Sequence, residues 1–425
     1  MEEIINCSLT ELNSKKKIFK IFGIPAFAQQ AEYDFSVNYE LKYLKKGSGA
    51  RKSKRIGERI DDYLSIEKKE SPTLDAIPKG ENKKDYRTIT HFKKGSEWLK
   101  RAQKKFHKII SNGIKDVPYL KSTLKDTSYA KNGIAHSGSP KDMFFLDLKS
   151  FFEQVDSNRI NKRLKKLLKL DSDVSLFYSK MLTSQKDESK SSYVLGQGLP
   201  SSPILSFLCY KSLFDYIYDI SNKAGITFTI YVDDITFSSD KEIPQSFINT
   251  IMGLLKSKTY GNELIISKKK IRKPSKTARK RITGVYLDRN GKPGISKKKH
   301  EELFSLYEAI ITIIHKKDLS FEDYFKLFNL VLKFNGNFIY LCEVQYNGDL
   351  KTDGNIYTHQ KYALLYRTMM DYFKIGIEKD NKKMPYAIDN IGEDDKTALK
   401  EKYQQLLDDK NKLMNQFPLV KSKNS

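Results

Sequence analysis

Cysteine is scarce in this chain. Cys7, Cys209 and Cys342 lie far apart among 425 residues. They form neither the paired spacing of a zinc site nor a disulfide framework, which fits a reducing cytoplasm. Long apolar runs are missing too. No stretch of about 18 residues is apolar enough to span a bilayer. The N-terminus, MEEIINCSLTELNSKKK, puts acid before base, the reverse of a secretory signal. There is no internal repeat, and lysine runs are the only low-complexity tracts. Acid is also in deficit. The 77 Lys and Arg outnumber 52 Asp and Glu, leaving a net charge of +25. An excess of that size calls for a polyanionic partner, either nucleic acid or an anionic membrane surface.

What is present can build cores. The chain is 39% hydrophobic and 12% aromatic, and its length implies two to four subdomains. The segment KKGSGARKSKRIGER reads as a basic flexible arm. Tyr86-Arg87-Thr88-Ile89-Thr90 alternates as one arm of a β-hairpin. Trp98, Leu99, Ala102, Phe106, Ile109 and Ile110 recur at helical spacing, with Ser96 as N-cap. FFLDL (144–148) reads as a short buried strand. SNRINKRLKKLLKLDSDVSLFYSKMLT reads as helices with basic faces. Leu205, Leu208, Cys209, Leu213, Tyr216 and Ile217 line one face of an amphipathic helix that stops at Gly225. Two helices follow about residue 296, meeting near Asp318, and a charged tail with at least one helix begins near 346.

The stretch TFTIYVDDITFSS sets two like charges, Asp233 and Asp234, inside apparent strand. Apolar residues fall on even positions before the pair and on odd positions after it. That phase switch is the signature of a tight hairpin with the aspartates at its tip. Adjacent carboxylates repel and raise each other's pKa unless a cation is present. A hard ion such as Mg²⁺ or Mn²⁺ suits them better than zinc. The competing reading is a solvated Asp-Asp turn.

A third carboxylate strengthens the metal reading. MFFLDLKSFFEQVD places Asp147 at the end of an apolar strand. A strand bearing one aspartate beside a hairpin bearing two is what two-metal phosphoryl transfer requires. Asp147 would bridge both ions, and the Leu148 carbonyl could add a ligand. The alternative is that Asp147 caps a helix.

These blocks, in order, resemble reverse transcriptases, and among them bacterial retron and retron-like defence enzymes. The likeness covers about residues 75–345. YVDD and FFLDLKSFF resemble the family's two catalytic-aspartate blocks. LGQGLPSSPILSFL resembles its Pro-Gln-Gly-x-x-x-Ser-Pro block, matched at Gln197, Gly198, Ser202 and Pro203, with Gly196 where proline is usual. The resemblance implies that Gln197 and Gly198 contact the incoming nucleotide and template. It makes Phe152, or its neighbour Phe151, the aromatic that excludes a ribose 2′-OH. KKDYRTIT resembles the fingers hairpin, with Arg87 on the triphosphate, assisted by Lys84 or Lys83. WLKRAQKK places Lys104 on nucleic acid. SKKKIRK supplies Lys270, or Lys269, to protonate the leaving pyrophosphate. SYAKNGIAH resembles the retron Asn-Ala-x-x-His signature through Asn132 and His136, with Gly133 for alanine. RITGVYL resembles the Val-Thr-Gly block through Thr283 and Gly284. LKFNGNFIYL resembles the end of a retron-type thumb.

The implied fold is α+β, a right-hand polymerase with an antiparallel palm. Residues 1–74 would be an N-terminal extension and the start of the fingers, and 75–137 the fingers. The palm would span 138–285 with a fingers insertion at about 157–192. The thumb would span 286–345 and a C-terminal helical extension 346–425. Lys297, Lys298 and Lys299 would track the template backbone. The implied activity is RNA-directed DNA synthesis with two Mg²⁺ on Asp147, Leu148, Asp233 and Asp234. Implied partners are dNTPs, a structured noncoding RNA template and its DNA product, with no membrane. An effector protein and homo-oligomerisation are compatible with it, as is a role in antiphage defence in the cytoplasm. Two alternatives stand beside this reading. One is a non-retron defence reverse transcriptase making repetitive or untemplated DNA. The other is a non-catalytic RNA-binding protein on a polymerase scaffold.

Overall fold

A computed structural model describes residues 22, 64–70, 86–92, 97–115, 117–185, 193–258, 264–346, 357–372 and 393–419. The basic arm, the Ser96 cap, Lys83 and Lys84 lie outside them. The chain divides into two compact units. One comprises Met1–Asn132 with Lys141–Lys276, the other Gly133–Pro140 with Thr277–Ser425.

The first unit opens with β1 (Leu64–Glu70) and β2 (Tyr86–Phe92), an antiparallel pair running from Leu64 opposite Phe92 to Glu70 opposite Tyr86. Helix α1 (Glu97–Gly113) buries Trp98, Leu99, Ala102, Phe106 and Ile110, as its three- and four-residue spacing requires. After α2 (Tyr129–Ile134) comes β3 (Asp142–Asp147), every residue of it buried. Two helices follow, α3 (Ser157–Leu168) and α4 (Ser172–Met181). The two-residue strands β4 (Ser184–Gln185) and β5 (Tyr193–Val194) pair with each other. Helix α5 (Ser202–Lys223) leads into β6 (Thr227–Tyr231), β7 (Asp234–Ser239) and α6 (Gln245–Lys256).

The central sheet is antiparallel, in the order β3-β7-β6. Short bridges extend it at both edges. Leu148 pairs with Ile266 and Phe145 with Arg272 beside β3, and Leu120 pairs with Ile230 beside β6. The sheet packs through stacked rings. Phe228 and Phe237 lie 5.2 Å apart, and Phe144 and Phe237 6.1 Å apart. The expectation of a one-faced α5 needs correction. Phe207, Tyr210 and Phe214 are buried along with Leu205, Leu208, Leu213 and Ile217. Tyr216 is 44% exposed. The helix is therefore enclosed on most sides, which explains why apolar residues surround most of its circumference. Gly225 ends it at a φ of 65°, a conformation glycine adopts without strain.

The second unit contains a small sheet and a helical bundle. Strands β8 (Lys280–Ile282), β9 (Val285–Leu287) and β10 (Pro293–Gly294) pair in the order β10-β9-β8. Ile282 faces Val285 across the β8–β9 turn. Its two loop residues, Thr283 and Gly284, both have positive φ, at 45° and 100°. That is the conformation of a type I′ hairpin turn. Val285 then seats against Gly133, where an added Cβ would lie 2.4 Å from the Val285 Cβ.

The bundle comprises α7 (Lys297–Ile314), α8 (Phe321–Tyr346), α9 (Tyr357–Tyr372), α10 (Glu393–Asp408) and α11 (Lys410–Gln416). The described helices of the tail pack on α7 and α8. The Tyr362 ring contacts Tyr307 at 5.3 Å and Phe334 at 5.7 Å. Tyr403 packs on Phe321 and Tyr324 and donates its hydroxyl to the Leu319 carbonyl. Lys410 Nζ donates to the Lys317 carbonyl, and the His315 ring meets the Phe417 carbonyl at 2.7 Å. Tyr403 and Lys410 thereby satisfy carbonyls of the turn after α7, and His315 in return meets a tail carbonyl. No helix among the described residues is long and apolar enough to cross a membrane.

Candidate active site

Asp147 and Asp234 are direct partners across the β3–β7 ladder. The Asp147 side chain is buried at the strand end, while Asp234 sits at the exposed tip of β7. Asp233 occupies the two-residue turn between Tyr231 and Asp234. Val232, the other turn residue, has a φ of 58°. A β-branched residue is strained there by about 1–3 kcal/mol. Its neighbours hold it in place. The Val232 N–H donates to Ser122 Oγ at 3.2 Å, and the Leu148 N–H donates to the Asp233 carbonyl at 3.0 Å. The turn is therefore pinned to the end of β3, which brings the three aspartates to one edge of the sheet.

Desolvation pushes the Asp234 carboxyl up to about 6, and the charges of Asp233 and Asp147 reinforce the shift. Lys270 and Arg272 oppose it. Because Asp234 reaches solvent, water screens part of that repulsion. Lys270 Nζ donates to Asp147 Oδ2 at 2.6 Å. Sequence reasoning left Lys269 and Lys270 as alternatives, and Lys270 is the one on the carboxylate. Among the described residues, no three His, Cys, Asp or Glu side chains converge tightly enough to hold a metal ion. The residues nonetheless fit a hard divalent cation in donor chemistry and charge. Three carboxylates share one edge, and the proton affinity of Asp234 is already raised by its like-charged neighbours.

The other expected residues separate into groups. Phe151 is 4% exposed and packs on Tyr210 at 5.5 Å, so it belongs to the core. Phe152 is half-buried and packs against that core from outside, its ring 6.2 Å from that of Phe151. Gln154 is a positioning residue that sequence reasoning missed. It donates to the Lys149 carbonyl and accepts from the Ile265 N–H, fastening the segment after Asp147 to the one before Lys270. No motif signals it, because the bridge forms only in three dimensions.

The Gln197 carbonyl accepts from the Thr90 N–H at 2.7 Å, tying the nucleotide-loop candidate to β2, which carries Arg87. Gly198 has a φ of 105°. Gly196 has a steric reason to be glycine, since an added Cβ would lie 2.3 Å from Thr90 Oγ1 and 2.5 Å from Ser184 Oγ. Ser202 Oγ donates back to the Gly196 carbonyl, closing the loop at the start of α5. Lys104 is exposed on α1.

Asn132 and His136 are fully buried. Thr283 and Gly284 form the β8–β9 turn described above. Of the three lysines at the start of α7, Lys297 pairs with Glu301 and Lys299 with Glu302 and Asn337. Lys298 is exposed.

Comparison with known proteins agrees with this geometry. The reverse transcriptase (RNA-dependent DNA polymerase) family matches residues 69–287. Over 253 residues the chain is 25% identical to the retron Se72 reverse transcriptase of Salmonella heidelberg, covering 59% of this chain and 62% of that protein. It is 26% identical over 163 residues to the retron Ec83 reverse transcriptase of Escherichia coli, covering 38% and 52%. The matched region thus spans less than two thirds of each of these two relatives. Telomerase from Candida albicans is similar in structure at 11% identity and a TM-score of 0.40, over 82% of this chain and 63% of that one. With more than half its length matched, this chain belongs to the reverse transcriptase family.

Proposed function

We propose that this chain is an RNA-directed DNA polymerase of a bacterial antiphage defence system, copying a structured noncoding RNA into DNA. The observation that carries the reading is the carboxylate edge, with Asp147 and Asp234 opposed across one ladder and Asp233 in the turn beside them. Retron reverse transcriptases are among its relatives, and the defence role is what resemblance to that group implies.

Asp147, Asp233 and Asp234, with the Leu148 carbonyl, would hold two Mg²⁺, with Mn²⁺ as a substitute. Bound there, the ions supply activation of the primer hydroxyl and charge neutralisation on the triphosphate. The chain's own groups do the rest. Arg87 lies on β2, which the Thr90–Gln197 hydrogen bond fixes beside the nucleotide loop. A planar guanidinium there binds phosphate oxygens in bidentate fashion. Phe152, less buried than Phe151, closes the space of a 2′-OH. Lys270 Nζ, held on Asp147 at 2.6 Å, would protonate the leaving pyrophosphate.

Sequencing the nucleic acid that co-purifies with the protein tests the reading. One fixed DNA sequence joined to RNA is expected. Homopolymeric or protein-linked DNA would contradict the retron-like part of the proposal.

A further inference from the structure

Helix α3 carries a charge that nothing in the catalytic edge uses. From Ser157 to Leu170 the sequence SNRINKRLKKLLKL holds six basic residues and no acid. Arg159, Lys162, Arg163, Lys165, Lys166 and Lys169 span about 15 Å at 1.5 Å per residue, one charge every 3 Å or so. Their spacing is self-repelling. Lys162 and Lys166, Arg159 and Arg163, and Lys165 and Lys169 are all like-charged i,i+4 pairs. Lys162, Lys165, Lys166 and Lys169 are exposed.

Stabilisation of the helix end does not account for all of them. The helix dipole favours Lys165 and Lys166 in the last turn, but it disfavours Arg159 in the first and does nothing for Lys162 and Arg163 in the middle. Lys169 takes up a left-handed conformation, φ 50°, at the helix end, where glycine is cheapest. Arg159 has a packing role of its own, with its guanidinium over the Tyr210 ring at 4.3 Å and a hydrogen bond to the Cys209 carbonyl, so the four exposed lysines carry the surface charge.

We infer that α3 is a docking surface for the sugar–phosphate backbone of structured RNA, separate from the polymerase edge. An anionic membrane would need an apolar face to insert, and α3 has none to offer. Ile160, Leu164 and Leu168 are each at most 1% exposed, committed to the core. A phosphate backbone needs only the charges. The identity of the cognate RNA rests on the proposed function, but the surface itself does not.

The test uses the full chain carrying K162Q, K165Q, K166Q and K169Q, all exposed positions. A charge-matched control carries K125Q, K223Q, K241Q and K256Q, which are exposed elsewhere on the same unit. Binding to a long fluorescent hairpin RNA is measured across a salt series, alongside extension of a short RNA–DNA primer-template. For the α3 variant, the slope of log K against log[salt] should fall by about 3 (roughly 0.7–0.9 per lost phosphate contact). RNA affinity should drop about 10- to 100-fold at moderate salt, with short-template extension kept within twofold. The control should keep the wild-type slope. An unchanged slope in the α3 variant overturns the inference, and so does an equal fall in the control, which would mean net charge alone. Loss of binding to phosphatidylserine vesicles with an unchanged RNA slope would assign the helix to lipid and also overturn it. If wild type binds RNA through α3 yet extends no primer, the proposed polymerase function fails while this inference stands.

Discussion

Gly133→Ala restores the residue usual in the retron signature, and it should destabilise this protein. Two effects compete. Gly133 lies within α2, where alanine gains about 1 kcal/mol of helix propensity over glycine. Against that, the new Cβ would lie 2.4 Å from Val285 Cβ, 2.6 Å from Cγ2 and 2.9 Å from Cγ1. Val285 is fully buried, and its Cβ is fixed to a strand backbone, so it cannot swing aside. Overpacking of this kind costs about 1–3 kcal/mol, and with so rigid a neighbour the upper end applies. The net loss should be about 1–2 kcal/mol, or about 2–8 °C in Tm for a unit of this size.

The rescue pattern is more specific than the loss. Val285→Ala removes only the two γ carbons and leaves the 2.4 Å contact, so Gly133→Ala should remain harmful beside it. Val285→Gly removes all three atoms. In that background Gly133→Ala should become stabilising by about 1 kcal/mol, the helix propensity alone. Thermal unfolding of the six proteins, read as two double-mutant cycles that share wild type and Gly133→Ala, measures this. A higher Tm for Gly133→Ala with Val285 intact would refute the packing argument.

Gly196→Ala should likewise cost about 1–3 kcal/mol by pushing Thr90 away, and steady-state kinetics should show a higher KM for dNTP as β2 shifts. Phe152→Ala should admit ribonucleotides in an incorporation assay with little change in Tm, whereas Phe151→Ala should cost about 3–5 kcal/mol of stability. The reverse outcome would exchange their roles. Tyr403→Phe should lower the stability of the helical unit by about 0.5–1.5 kcal/mol in denaturant melts, because the Leu319 carbonyl loses its donor.

Local patterns showed through the sequence wherever burial is periodic. The phase switch at Asp233-Asp234 located the hairpin, and the spacing of Trp98 to Ile110 located α1, because one face of each element meets the core. The partner of β2 was hidden. LSIEKKE has only two apolar residues, and its pairing is a matter of backbone hydrogen bonds. The packing of the tail was hidden for another reason. Tyr362, Tyr403 and Phe417 are spread over some 55 residues, and only the folded bundle brings them to α7 and α8. The choice between Phe151 and Phe152 was also beyond pattern, since adjacent aromatics differ only in what surrounds them. Asn132 and His136 were legible as a signature, but not their burial, which depends on what folds over them.

RNA-templated primer extension tests the central claim most directly. With Mg²⁺, the wild-type chain should extend a DNA primer on an RNA template, and chelation should abolish synthesis. Asp147→Asn, and the double change Asp233→Asn with Asp234→Asn, should each reduce synthesis by at least about 10²-fold, the scale expected for losing a preorganised charge at the reacting centre. Undiminished synthesis by the double variant would contradict the assignment of the carboxylate edge as the site of catalysis.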